Sequence, residues 1–348
     1  MFKTVVFLSV TFITLNVASD FSFGDNTHEI ARAGGKMDAA EKVLLEEKLK
    51  QSPEDIESRT KLLGYYFITG RADADANEAK TRHIVWFIEH APQSEVLGLP
   101  YGKLDKILQP EGFQQAKAAW LAALDSAPND LAALSNAAQF FIIHDRKLSE
   151  QFLLRGKQAD TKNPKWASSL GQLYMLGLSV KSDDAAKKEN AAKAFDQFEQ
   201  AYEHSDEQGR ESLLVSLAKS AMDAGISDKA KEYAERMLAD NASNWNSGNR
   251  IHHGNLILGR IALEQNDIDE AKARLLAAGR TTGSPQLSSF GPNMLLAKRL
   301  LELGESEVVL EYFSLCDQFW KSPRRKLDRW IDDVKANRTP DFGANLSY

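Results

Sequence analysis

Leu217, Ala218, Ala221, Gly225, Ala230 and Ala234 recur as Leu258, Gly259, Ala262, Asn266, Ala271 and Leu275, then as Leu296, Ala297, Leu300, Gly304, Val309 and Phe313. The first and last positions lie 17 residues apart in every copy, while the copies are offset by 41 and then 38 residues. A fixed interior with a variable connection is what packing imposes: side chains inside a helix pair constrain one another, whereas a surface loop tolerates insertion. The apolar spacing within each half is helical. Gly225, Asn266 and Gly304 stand between the halves, where a left-handed residue is required and Gly or Asn carries the smallest steric penalty.

This pattern resembles the tetratricopeptide repeat (TPR). In that family a first helix carries a large residue, a Leu-Gly pair and an aromatic; a Gly-Asp turn leads to a second helix with Ala, an aromatic and Ala, and Pro follows. The turn is Gly225-Ile226-Ser227-Asp228, Asn266-Asp267 and Gly304-Glu305 here, and Ala218, Gly259 and Ala297 are the small residues that let the paired helices approach. No single copy matches in full. The resemblance implies an all-α, right-handed α-solenoid of TPR-like helix hairpins.

Earlier segments follow the pattern less closely. Met37 to Lys50 reads as a helix ended by Gln51-Ser52-Pro53, with Ser52 or Pro53 opening the next. Leu62, Leu63, Gly64 and Phe67 carry the first-helix signature, Gly70 closes that helix, and Lys80, Ile84, Phe87 and Pro92 suit a second helix. Gly98, Pro100, Gly102 and Pro110 break residues 93–110, which read as a degenerate first helix or a structured loop. Gln114 to Ser126 reads as a second helix, and Leu131 to Asn163 as a further pair turning at Asp145-Arg146-Lys147. Trp166, Leu170, Gly171 and Tyr174 open another pair, completed by Ala194, Phe198 and Ala201 after a charged insertion at Lys181 to Glu189. About six pairs over 37–322 are thus expected, preceded by a flexible lead-in at 20–36 that holds Gly24, Gly34 and Gly35. At 323–348 a capping helix is expected, with Leu327, Trp330, Ile331 and Val334 on one side and a loose tail after Pro340.

Residues 1–19 read as a secretory signal peptide: Lys3, an apolar run from Val5 to Leu15, then Val17-Ala18-Ser19 at the cleavage position. The run is shorter than the ~20 residues a spanning helix needs. The expected location is therefore periplasmic or extracellular, without stable membrane insertion after cleavage. A net charge of −6 argues against a nucleic-acid partner. The chain's one cysteine, Cys316, falls on a small packing position of a second helix and reads as a buried thiol.

The sequence contains no phosphate loop, nucleophile elbow, H-E-x-x-H or C-x-x-C. His252 and His253 are adjacent, so on a helix they point about 100° apart, and His83 and His90 are seven residues apart. Catalysis, a cofactor and a metal site are not expected. A rival reading is an enzyme or enzyme regulatory subunit with a pocket in 71–110 or 178–190, using Tyr101, Lys103, Asp105, His83 and His90.

A polar column is the stronger signal. Two positions beyond the first residue of each Leu-Gly-like pair stand Gln139, Gln172, Lys219, Arg260 and Lys298, all long donors, cationic towards the C-terminus of an acidic chain. Asn136, Lys165, Ser169, Ser216 and His253 are expected beside them. In the family resembled, first helices line the concave surface, so this strip suits an extended, acidic peptide or protein segment: amides meet its backbone and cations its carboxylates. Asn136 and Lys165 also match two positions of the carboxylate clamp of some such repeats, but Ser169 replaces an expected Arg. Asn241, Asn337 and Asn345 each begin an N-x-[ST] sequon.

Overall fold

The computed structural model describes residues 24–70, 73–177, 183–239, 245–321 and 325–346; the apolar stretch at 1–19 lies outside them. Among the described residues there are seventeen α-helices and no strand. Helices α1 (Gly24–Gly34), α2 (Ala39–Gln51), α3 (Ile56–Thr69) and α4 (Ala74–His90) form the N-terminal end. After 3-10 turns at Glu95–Leu97 and Pro100–Gly102 come α5 (Pro110–Ser126), α6 (Leu131–Phe141), α7 (Arg146–Ala159), α8 (Pro164–Gly177) and α9 (Asp184–His204). Then follow α10 (Glu207–Ala224), α11 (Ser227–Ala239), α12 (Ser247–Glu264), α13 (Ile268–Gly279), α14 (Pro285–Phe290), α15 (Leu295–Glu302), α16 (Ser306–Phe319) and α17 (Lys326–Lys335).

Local chemistry fixes the ends of these helices. Asp38, Asp55, Asp73, Asp130, Asp145, Asp183, Asp206 and Asp267 each cap a helix, their carboxylates accepting amide hydrogens of the first turn. Asp55, not Ser52 or Pro53, starts α3, because its carboxylate takes both the Ser58 amide and hydroxyl. The three repeat turns are built alike. Gly225, Asn266 and Gly304 adopt φ of 77°, 60° and 89°, as their residue types require. In each, the next residue's N–H returns to the carbonyl five earlier: Ile226 to Ala221, Asp267 to Ala262 and Glu305 to Leu300.

Packing runs in chain order. Pairs α6/α7, α8/α9, α10/α11, α12/α13 and α15/α16 lie against each other, and each pair meets the next through neighbours such as α7/α8 and α13/α16. Four apolar clusters follow one another accordingly, built from residues 49–79, 63–173, 167–261 and 256–342. Neighbouring elements bury each other and no central core forms. Small residues set the spacing: a Cβ on Gly171 would sit 2.6 Å from the Phe198 ring, and one on Gly156 2.4 Å from the Trp166 ring.

Both ends depart from the sequence expectation. Within the stretch read as a flexible lead-in, Gly24–Gly34 form α1, which crosses α3 so closely that a Cβ on Gly34 would lie 1.8 Å from the Lys61 carbonyl oxygen; residues 20–23 lie outside the described ones. Gly34 serves backbone contact, which periodicity does not reveal. The tail after Pro340 is docked, not loose: Phe342 is buried with Phe313 and Trp330, and the Asn345 amide donates to the Phe290 and Pro292 carbonyls. Helix α17 covers α16 with Leu327, Trp330 and Val334, as its pattern implies. Residues 93–110 form a structured loop, with Val96, Leu97 and Leu104 buried and α5 beginning at Pro110, four residues earlier than expected.

Candidate binding face

The polar column maps onto the first helix of each pair: Gln139 on α6, Gln172 on α8, Lys219 on α10, Arg260 on α12 and Lys298 on α15, all half-buried. Helix α12 packs against both α10 and α15. Where α10 meets α12, four charged or polar groups converge. Arg260 Nη2 donates to Asp223 Oδ1 at 2.7 Å. Lys219, one turn before Asp223, makes no hydrogen bond or ion pair among the described residues. Burial pushes its amine down to about 8; Asp223 pulls it up, and Arg260 adds to the depression. His253 is held well below the usual imidazole range by burial, by neighbouring His252 and by the charge of Lys219. Lys219, His253, Arg260 and Asp223 thus form one electrostatic unit with a net charge of about +1 while the imidazole stays neutral.

The other expected residues are distributed differently. Lys298 lies 3.8 Å from Glu302, one turn along its own helix, so its charge is partly answered. Lys165 lies in the first turn of α8, its ammonium 6.0 Å from the Trp166 ring centre, and burial lowers its pKa. Ser216 accepts the Ser220 hydroxyl through its carbonyl. Asn136 does not line an open face: it is 8% exposed and its side-chain amide donates to the Pro92 and Ser94 carbonyls at 3.0 Å. It holds the irregular loop against α6, its bond to the Ser94 carbonyl adding to the one that the Leu97 amide already makes there.

Two participants were not anticipated from the sequence. Asp223 sets which cation is left free, and its position four residues after Lys219 was the available signal. His252 is fully buried: its Nδ1 lies 3.0 Å from the Ala278 carbonyl, and its Nε2 accepts the Asn293 amide at 3.2 Å. It therefore ties α13 and the segment before α15 to α12. The His252 and His253 rings meet edge to face at 5.2 Å. Among the described residues, no three His, Cys, Asp or Glu side chains are grouped so as to hold a metal ion.

The residues of the rival pocket do not meet in one cavity, although His83 and His90 are linked through Arg59 and Trp86. His83 Nε2 bonds Glu46, and its Nδ1 faces Arg59. His90 stacks on Trp86, whose ring also carries the Arg59 guanidinium at 3.8 Å. Tyr101 meets His28 and Phe67, whereas Asp105 turns towards His144. Lys103 Nζ donates to the Leu97 carbonyl at 2.7 Å, and burial pushes its pKa down to about 7. An open depression lies elsewhere, between α5 and α7, lined by Leu121, Leu124, Pro128, Phe152 and Arg155. Arg155 is bound to its wall through the Leu124 and Pro128 carbonyls. Cys316 is buried, and burial raises its thiol pKa. No helix among the described residues is long and apolar enough to cross a membrane.

A scan against protein-family models finds no match for this chain, and a search of curated proteins also finds none.

Proposed function

We propose that this chain is a non-catalytic interaction scaffold: a right-handed solenoid of TPR-like hairpins, exported from the cytoplasm, that takes an extended acidic segment of a partner protein along the wall formed by its first helices. Sequential packing, the three identically built turns and the glycine-mediated close approaches support the repeat reading. The observation that carries the binding reading is Lys219, a half-buried cation with no carboxylate of its own beside an already neutralised Asp223–Arg260 pair. A buried ammonium that costs desolvation without gaining a partner is stabilised by an incoming carboxylate. Gln139 and Gln172 make no hydrogen bond among the described residues, which leaves their amides for a backbone.

An array of extended peptides with Asp or Glu at varied positions tests this reading. The wild-type chain is expected to select acidic members, and Lys219→Glu to bind them at least about tenfold more weakly with unchanged helicity. Equal binding of acidic and neutral peptides would remove the proposal. Changing Lys219, Arg260 and Lys298 together to Glu should add less than three equal increments, since two of those charges are already answered within the chain.

A further inference from the structure

The most exposed large apolar side chains of the described residues are two neighbours, Ile107 and Leu108, 83% and 79% accessible, at the turn before α5. The turn is held from within: Asp105 Oδ1 accepts both their amide hydrogens at 2.7 and 3.0 Å, and the Gln109 side chain donates to Asn77 Oδ1. Asp105 Oδ2 lies 3.6 Å from His144 Nε2, so the turn after α6 meets this one and adds Ile143, 57% accessible. Phe113 is buried behind both turns, edge to face with the His144 ring. Three aliphatic side chains therefore project from a packed base.

The charges around them are positive in balance. Lys106, Arg146 and Lys147 make no ion pair among the described residues; Glu111 and Asp105 are the nearby acids that no lysine or arginine pairs, so three cations stand against two carboxylates. Asp145 is already engaged: against the effect of burial, hydrogen bonds from Lys117 and the Leu148 amide, with the charges of Lys117 and Lys106, hold its carboxyl low. We infer that this double turn is a peripheral contact site for an anionic lipid surface, with Ile107, Leu108 and Ile143 entering the interface and Lys106, Arg146 and Lys147 meeting the headgroups. Three features favour a bilayer over a protein pocket. The tip projects instead of forming a groove, its amide hydrogens are satisfied internally as an apolar medium demands, and its free charge opposes the acidic balance of the whole chain.

Leu108→Cys carrying an environment-sensitive fluorophore, in the full chain, reads this site locally; Cys316 is buried and will not compete for the label. Leu303→Cys, at an exposed position in the α15–α16 turn, is the control. The label at 108 is expected to shift to the blue on phosphatidylglycerol vesicles, but not on phosphatidylcholine vesicles, and the label at 303 on neither. Adding Lys106→Glu and Lys147→Glu should weaken that response at least about tenfold, and raising the salt should reduce it. The inference falls if the 108 label stays aqueous on anionic vesicles, if both lipids shift it equally, or if it responds only to an added protein. Peptide selection by Lys219 is unaffected by any of these outcomes.

Discussion

His252 and Glu46 respond to acid for opposite reasons. Burial drives His252 down from 6.5 to about 4, although its bond to Ala278 works the other way. Between those values the unfolded chain binds a proton that the folded chain does not. Its contribution is thus complete above pH 6.5 and declines as the pH falls towards 4, by about 3 kcal/mol in all. Glu46 is resisted by burial but hydrogen-bonded by His83 and Tyr66, which together lower it to about 2. Its contribution persists to lower pH and fades only from about 4.5 towards 2. Urea titrations should therefore show stability dropping between pH 6.5 and 4.5, with the drop reduced but not abolished in His252→Gln, because buried His253 is also held low and contributes over the same range. An unchanged pH slope in that variant would assign the loss to other groups.

At the scale of single elements, backbone geometry dominates. Gly304 has φ of 89° and open space around a would-be Cβ. Gly304→Ala should cost only the left-handed penalty, about 1 kcal/mol, with no change in contacts. Asn266→Gly, at φ of 60°, should change stability by less than about 0.5 kcal/mol. Gly64→Ala is different, because its Cβ would stand 1.7 Å from the Ala31 carbonyl oxygen, and a backbone cannot yield as a side chain can. Hydrogen exchange should show α1 released and α12 to α16 protected as before. These positions also divide what could be read in the sequence from what could not. Gly225, Asn266 and Gly304 announced their turns because the requirement is local and repeated. Gly64 was legible only as part of a first-helix signature and Gly34 only as a lead-in glycine; the backbone each one meets lies 27 to 33 residues away and left no mark in the sequence. The polar column was legible as spacing, but the commitments of Asn136 to the Pro92 and Ser94 carbonyls and Arg260 to Asp223 depend on how helices are set beside one another.

For the whole molecule, neighbour-only packing means that stability is divided along the chain. Ending the chain at residue 321 would uncover Phe313 and Trp320, which now pack against Trp330 of α17. The expected result is loss of exchange protection through α15 and α16, with α3 to α8 retained. Uniform loss across all helices would show a single cooperative unit instead. The clusters also bear on how the fold is reached: each draws on segments close in sequence, so assembly can spread from any of them.

Asn345 adds a timing constraint to that assembly. Its side chain satisfies the carbonyls of Phe290 and Pro292, and its own carbonyl accepts the Met294 amide. On the ribosome these partners emerge some fifty residues before the asparagine that completes them. The segment joining α13 to α15 must therefore wait, hydrated and open, until Asn345 itself has been made and has cleared the ribosome.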